Sequence, residues 1–521
     1  MKRKLLLAMV LNEARLRLRR ASTQVLLLVV ALLAWFLVVD PATGYTMLAA
    51  NSARVAYNST GLALGSSLLA TSLFGLFGFY LVRGRVDEDL RSGMGGVLAT
   101  MPVSNASLIL GRWAGGVVCL GSLVPVLALT MCVLQAVRGE GSVSPILFLQ
   151  FYALTILPNI FFIVAMAVLC ESTRPLMGKL GDVLYFLFWL MQVAAAAVFV
   201  SLDTGATFAF VFDATGVGVL TDRGQQLLQT TTLAVGLNTF DKTLAPVVMA
   251  DDFWTWPMVL TRFAAAFLAL IPLAIATRLF HRFSPDQVHA RAARKTWAIG
   301  AGINRVLRPL DVCSHLLLRC SARGPRLLRR LNAELALTFA ANPLTGPLLL
   351  VCVGAGALVD YALLPWLLLA VVLYWGIAVA DLSVRDYQAD TEHMSSSMPG
   401  GATLRYWRQC ATAMLLGLLL TAPVMARWAA AEPLRAFCLF SGLLALTGLA
   451  QLLGRTLRTG RAFTVLFLFG LYIASQSNDP AVLDLLGMHG KATAASIAQQ
   501  VVAGVVLLAA GFMLDRRRAL Q

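Results

Sequence analysis

The charged residues best placed to meet something soluble lie in one segment, Arg83 to Trp113, RGRVDEDLRSGMGGVLATMPVSNASLILGRW. It is basic, broken by glycines and set between two long apolar runs, and it holds Arg83, Arg85, Glu88, Arg91 and Arg112. A second polar segment, Ser383 to Gln409, carries Arg385, Asp386, Met398-Pro399 and Arg408, where the first has Arg85, Asp87, Met101-Pro102 and Arg112. Nothing among these charges nominates a catalytic pair. Their chemistry is ion pairing, and in so apolar a chain that marks a place where a soluble partner docks. A plain solvated loop with topogenic arginines is the simpler alternative.

Bond-making constellations are missing elsewhere. There is no G-x-x-x-x-G-K-[ST] phosphate loop: Gly178-Lys179 is followed by Leu180 and Gly490-Lys491 by Ala492, so the chain does not hydrolyse ATP by that mechanism alone. It has no H-E-x-x-H, no nucleophile elbow and only five histidines. Cys313, His315 and Cys320 lack a fourth ligand and fit no zinc spacing. The chain reads as no enzyme, with neither metal nor cofactor of its own.

Composition dictates what must position the charges. Of 521 residues, 59% are hydrophobic and only 13% charged, with mean hydropathy +0.77. A bilayer core needs roughly 20 apolar residues per helix, and about ten to twelve such runs are present. The net charge of +16 would suggest nucleic acid in a soluble protein. In a membrane protein it is the Lys and Arg that collect on the cytoplasmic side, so no nucleic-acid partner is expected. The eight cysteines fall in apolar runs or basic stretches, which argues against a disulfide framework. The N-terminus has no small-residue cleavage site and reads as retained.

Residues 1–20 alternate Leu, Met and Val with Arg and Lys, which predicts an amphipathic lead-in helix with its apolar face in lipid and its arginines at the headgroups. Spans are expected at Gln24–Val39, Gly61–Val82, Leu108–Gln135, Pro145–Cys170, Val183–Ser201 and Pro257–Leu279. Loops then assigned inside carry Arg83, Arg85, Arg91, Arg112, Arg174, Lys179, Arg278 and Arg282, whereas Leu202–Trp256, assigned outside, is acidic. Both asymmetries place the N-terminus in the cytoplasm.

His281–Arg330 is a basic cytoplasmic linker, parts of it attracted to anionic lipid. Beyond it Arg330-Leu331-Asn332-Ala333-Glu334 echoes Val10-Leu11-Asn12-Glu13-Ala14, and six further runs follow, near 344–359, 363–382, 410–425, 437–453, 462–475 and 494–514. The run 462–475 is short for a span. The fold class is therefore all-α: a polytopic membrane protein of two six-helix halves in parallel orientation, each with its lead-in helix. The expected divisions are 1–282, a linker over 283–322, and 323–521. Within the spans Asn159 and Gln192 are the interior polar residues, and Asn159 reads best as local repair of the helix that Pro158 breaks. The scarcity of buried carboxylates argues for an engine outside the membrane.

The second half of the first segment, LATMPVSNASLILGRW, resembles the cytoplasmic loop between spans two and three of ABC-2 type transporter permeases. Glu88, Gly93, Val97-Leu98, Pro102-Val103-Ser104 and Gly111-Arg112 carry the resemblance, while Gly95-Gly96 stand where the family usually has a second Glu. In the second half Met398-Pro399 is followed by Gly400-Gly401 instead of Val-Ser, which suggests a degenerate copy with a weaker grip. The resemblance implies export, driven by a separate ATP-binding subunit in two copies that carries the ATP and Mg. That subunit would dock on 83–113, 383–409 and the lead-in helices. Glu88, Arg91 and Arg112 would pair across the interface and Pro102 would start a short helix, with Arg385, Asp386, Pro399 and Arg408 as their counterparts. Membrane-dipping helices are implied between spans five and six, where Leu202–Trp256 lies. The implied location is the bacterial inner (cytoplasmic) membrane, both termini cytoplasmic.

Two other readings stay open. A twelve-span secondary carrier also has two parallel halves and a basic central loop, but its loop between spans two and three is short and carries G-x-x-x-D-[RK]-x-G-[RK]-[RK], which this one lacks. A non-transporting anchor or assembly subunit suits the few intramembrane charges. A path lined by apolar and small residues suits lipids, amphipathic peptides or hydrophobic drugs.

Overall fold

A computed structural model describes residues 2–19, 30–32, 34–35, 38–173, 175–201, 209–230, 232–280, 319, 325–341, 345–389, 391–397, 399–476 and 484–519. The chain is mostly helical and divides into two compact units, Met1–Ala293 and Arg294–Gln521. Among the described residues nine helices are long and apolar enough to cross a bilayer. They are Ser59–Val82, Asn105–Arg138, Pro145–Ser172, Lys179–Ala196 and Trp256–Leu279 in the first unit, and Tyr361–Leu382, Gly401–Ala431, Pro433–Leu457 and Ala494–Arg518 in the second. The chain is thus a multi-pass membrane protein. The expected span Gln24–Val39 and the linker 283–322 lie largely outside the described residues.

The first unit opens with α1 (Lys2–Leu18). Strands β1 (Tyr45–Ala50) and β2 (Ala53–Arg54) follow, then α2 (Ser59–Leu73), a five-residue π-turn (Phe74–Gly78) and α3 (Phe79–Val82). Two short helices, α4 (Arg85–Arg91) and α5 (Met94–Thr100), lead into α6 (Asn105–Gly121) and α7 (Leu123–Arg138). Next come α8 (Pro145–Ser172), α9 (Lys179–Ser201), α10 (Val217–Leu228), β3 (Leu233–Thr239), α11 (Trp256–Phe267) and α12 (Leu270–Leu279).

The helical expectation holds for the bulk of the chain, with one small sheet added to it. The polar stretches read as outer loops pair into an antiparallel sheet of order β2-β1-β3, with Tyr45 opposite Thr239 and Ala50 opposite Leu233. Its central strand joins segments far apart in sequence, so no local alternation announced it. Where membrane-dipping helices were expected in 202–256, the described residues form α10, β3 and a loop. The buried Asp213 carboxylate accepts from the Gly216 and Gly218 amides (both 2.8 Å), and the exposed Asp251 accepts from Thr60 (2.6 Å).

Glycines set how closely the helices approach. A Cβ on Gly115 would lie 2.5 Å from Glu13 Cβ, and one on Gly111 would lie 3.4 Å from Met9, so α1 lies directly on α6. That contact revises the reading of the lead-in helix. Leu7, Leu11 and Leu16 face outward with Arg15 and Arg19, but Arg17 is buried; it donates to the Val82 carbonyl (2.8 Å) and lies 3.6 Å from Glu13.

The second unit begins with α13 (Arg326–Ala341) and α14 (Thr345–Leu358), whose axes turn by 99° where they meet. Then come α15 (Leu364–Leu382), the short α16 (Arg385–Gln388) and α17 (Glu392–Ser397), α18 (Gly401–Ala431), α19 (Pro433–Leu457), α20 (Arg461–Gln476) and α21 (Ala494–Ala519). At 14 and 16 residues, α14 and α20 are shorter than a full span. Helices α19 and α21 meet through small residues, a Cβ on Gly448 lying 2.9 Å from the Gly504 carbonyl.

Candidate docking site

The polar segment of the first unit is built by two glycine turns, a proline stop and two helix caps. Gly84 takes a left-handed φ of 108°, open to glycine at little cost, and turns the chain out of α3. The first turn of α4 is capped from a distance: Glu171, at the end of α8, accepts from the Gly84, Arg85 (3.0 Å) and Val86 (3.4 Å) amides. Gly93, at φ 75°, reverses the chain between α4 and α5. Helix α5 stops at Thr100 because Met101 precedes a proline and is driven to the extended region (φ −66°, ψ 138°). Pro102 therefore follows the short helix; the expectation that it starts one is corrected. Ser104 then caps α6, accepting from the Ser107 amide at 3.2 Å.

Inside this frame the charges pair with one another. Arg85 reaches Glu13 of α1 (3.1 Å), Glu88 (3.3 Å) and Asp89 (3.3 Å). Asp89 also holds Arg112 at 2.6 Å, with both side chains buried, and the Arg112 guanidinium lies 5.6 Å from the Phe280 ring centre. Beside this cluster the buried Arg83 pairs with Asp182 at 2.5 Å. Burial pushes the Asp89 carboxyl above its ordinary range despite the opposing pull of Arg112 and Arg85. For Arg85 burial acts downward, but Glu13, Asp89 and Glu88 together outweigh it and hold the guanidinium above its usual value.

The second unit repeats part of this chemistry with different members. Glu334 of α13 accepts from Arg385 (3.0 Å) and lies 2.9 Å from Arg408, while Arg385 also donates to Thr338 (3.0 Å). Asp386 accepts from Gln409 at 3.2 Å. Deeper in, Arg405 pairs with Asp515 (3.0 Å) and Glu392 (3.5 Å), and Arg455 with Asp515 (3.3 Å). Arg405 thereby ties α17 to α21.

The anticipated residues thus divide. Glu88 is half-exposed on the outer side of α4, and Pro102 and Pro399 lie exposed in turns. Arg91 ends α4, and its side chain is outside the described residues. Arg112 faces into the unit and braces α4 from within. Arg385 and Arg408 meet on a carboxylate that sequence reasoning did not nominate. Glu13, Asp89, Glu334, Arg405, Arg455 and Asp515 were all missed. The Arg85–Asp89 and Glu13–Arg17 pairs, both at i, i+4 spacing, carried a readable signal.

What faces outward is apolar. Met94, Val97 and Met101 are 50%, 52% and 44% exposed on and just after α5, outside any span-length helix. In the second unit Met394 of α17 is likewise exposed. The arrangement is a short braced helix pair presenting apolar knobs beside a half-exposed carboxylate. It suits protein docking and offers no reacting group. No protein-family model matches the chain, and neither a curated protein nor a solved structure matches it.

Proposed function

We propose that the chain is the membrane-embedded permease of an ATP-driven exporter of the ABC-2 kind, without an ATPase site of its own. A separate nucleotide-binding subunit, in two copies, supplies the hydrolysis and carries ATP and Mg. The chain would lie in a bacterial cytoplasmic membrane with both termini on the cytoplasmic side, its two units forming one translocation domain.

One observation carries the reading. The α4–α5 pair sits between two span-length helices, is bolted to the unit by the Glu13–Arg85–Asp89–Arg112 chain, and exposes Met94, Val97 and Met101. Rigidity on the inner side and apolar surface on the outer are what a force-transmitting contact requires. An exposed apolar cluster outside the bilayer-length helices marks an interaction surface. The scarcity of carboxylates within the spans agrees with an engine outside the membrane.

The test is isolation of the tagged full-length protein in mild detergent, with ATPase assay and mass spectrometry of what accompanies it. An ATP-hydrolysing subunit should copurify and be lost with Val97→Glu or with Glu88→Lys, while the unfolding midpoint of the permease stays within about 2 °C, as for other surface changes. Recovery of the chain alone, under conditions that keep permease complexes together, would move the assignment to a carrier or a scaffold.

A further inference from the structure

The second span is interrupted midway by the π-turn Phe74–Gly78, and the carbonyls around it are caught by neighbouring helices. Asn159 of α8 donates to the Thr71 carbonyl (2.8 Å); from α9, Trp189 donates to Ser72 (3.1 Å) and Tyr185 to Gly75 (2.5 Å). Asn159 therefore does not repair its own helix. The carbonyl that Pro158 leaves without a partner, Leu154 O, is taken instead by the fully buried Arg262 (3.0 Å), which also donates to the carbonyls of Asp213 (2.6 Å) and Ala214 (3.3 Å).

Below the π-turn the chain is clamped to the same α9. Phe79 stacks on Tyr185 with ring centres 3.6 Å apart, Tyr80 donates to the Asp182 carbonyl (2.7 Å), and Arg83 pairs with the Asp182 carboxylate. Contacts thus run from the loop at Asp213 through Arg262 to the Pro158 break of α8, and from Asn159 of the same helix through the π-turn to the start of α4.

We propose that the Phe74–Gly78 π-turn is a register hinge: by giving up its extra residue it converts to α-helix and rotates Phe79–Arg91 relative to α8 and α9, so that the Arg83–Asp182, Arg85–Glu13 and Asp89–Arg112 pairs that brace α4 hold only in the π register. A π-turn holds one residue more per hydrogen-bonded turn than an α-helix, so the conversion turns the lower segment by about 100° and advances it about 1.5 Å. Both registers leave most backbone groups paired, which gives the element two discrete arrangements. Asn159, Tyr185 and Trp189 are the positioning residues that select the π register, because each donates to a carbonyl whose direction changes with it. Gly75 is required there: a Cβ on it would lie 3.0 Å from Trp189 Nε1. The hinge does not depend on what α5 docks against.

Hydrogen exchange of the full-length protein in nanodiscs tests this without a partner. Amides 74–79 should exchange faster than amides 62–70 of the same buried span. Tyr185→Phe, which keeps the ring on Phe79 but removes one donor, should accelerate 74–79 about fivefold, the equivalent of one net hydrogen bond, and carry the change into 85–91. Trp189→Phe should act alike if Tyr185→Phe yields too little protein. Tyr152→Phe, which loses a contact to Ser66 away from the turn, should leave 85–91 unchanged. Uniform protection across 62–79, or acceleration confined to the mutated contact, would overturn the hinge.

Discussion

Glu13 and Arg85 lie 72 residues apart in sequence and meet at 3.1 Å, fastening the N-terminal helix to the segment that follows the second span. In the second unit Glu334 and Arg385 meet at 3.0 Å and fasten α13 to the polar segment at Arg385. The two carboxylates are not equally engaged. Glu13 is shared between Arg85 and Arg17, whereas Glu334 is more deeply buried and is the only salt-bridge carboxylate described for both Arg385 and Arg408.

That inequality makes a prediction. Glu334→Gln should lower the unfolding free energy by about 2–3 kcal/mol, since two half-buried guanidinium groups lose their charged partner. Glu13→Gln should cost about 1 kcal/mol, because Arg85 keeps Glu88 and Asp89 and Arg17 keeps the Val82 carbonyl. Thermal unfolding of the detergent-solubilised variants gives the order; equal losses would mean that the two braces are equivalent.

Asp89 and Arg112 form the most enclosed pair of the first segment. Asp89→Leu removes the carboxylate 2.6 Å from the buried Arg112 and should cost about 3–5 kcal/mol. Replacing both, Asp89→Leu with Arg112→Met, should restore much of the loss, because an apolar pair removes the desolvation cost along with the attraction. A double variant no better than Asp89→Leu alone would show that Arg112 acts outside this pair.

How much of this was visible beforehand depended on the range of each interaction. Apolar runs announced Gly61–Val82, Pro145–Cys170 and Pro257–Leu279, and helices occupy all three, because span length is a local property. Arg85 and Asp89 share one helical turn and could be read as partners. Glu13 meets Arg85, Arg112 meets Asp89 and Glu334 meets Arg385 only after helices pack, through Gly111 and Gly115 in the first unit. The β1–β3 pairing was hidden for the same reason. Arg262 was visible as one cation inside an expected span, but nothing local showed that it would serve the gap left by Pro158 on another helix.

The Asp89 carboxyl also gives the stability a pH signature. Its folded value is raised, so its contribution is fully present below the unfolded value of about 3.9 and is lost as pH rises through the folded value. Asp89→Asn removes that component. Between pH 4 and pH 7 the unfolding midpoint of the wild type should therefore fall relative to that of the variant. Parallel profiles would mean that Asp89 keeps its ordinary acidity in the folded protein.

Gly216 offers a separate test of the Arg262 site. Its φ of +77° lies in the left-handed region, and a Cβ there would stand 3.0 Å from the Arg262 guanidinium carbon. Gly216→Ala combines backbone strain with displacement of the side chain that serves Leu154, Asp213 and Ala214, and should cost about 1–3 kcal/mol. Gly93 has a matching φ of +75° with open space around it, so Gly93→Ala reports the backbone strain alone. The difference between the two losses measures what Arg262 contributes by holding the outer loop to the proline break of α8. Equal losses would show that Arg262 can shift aside freely, and that its carbonyl contacts do not fix the loop.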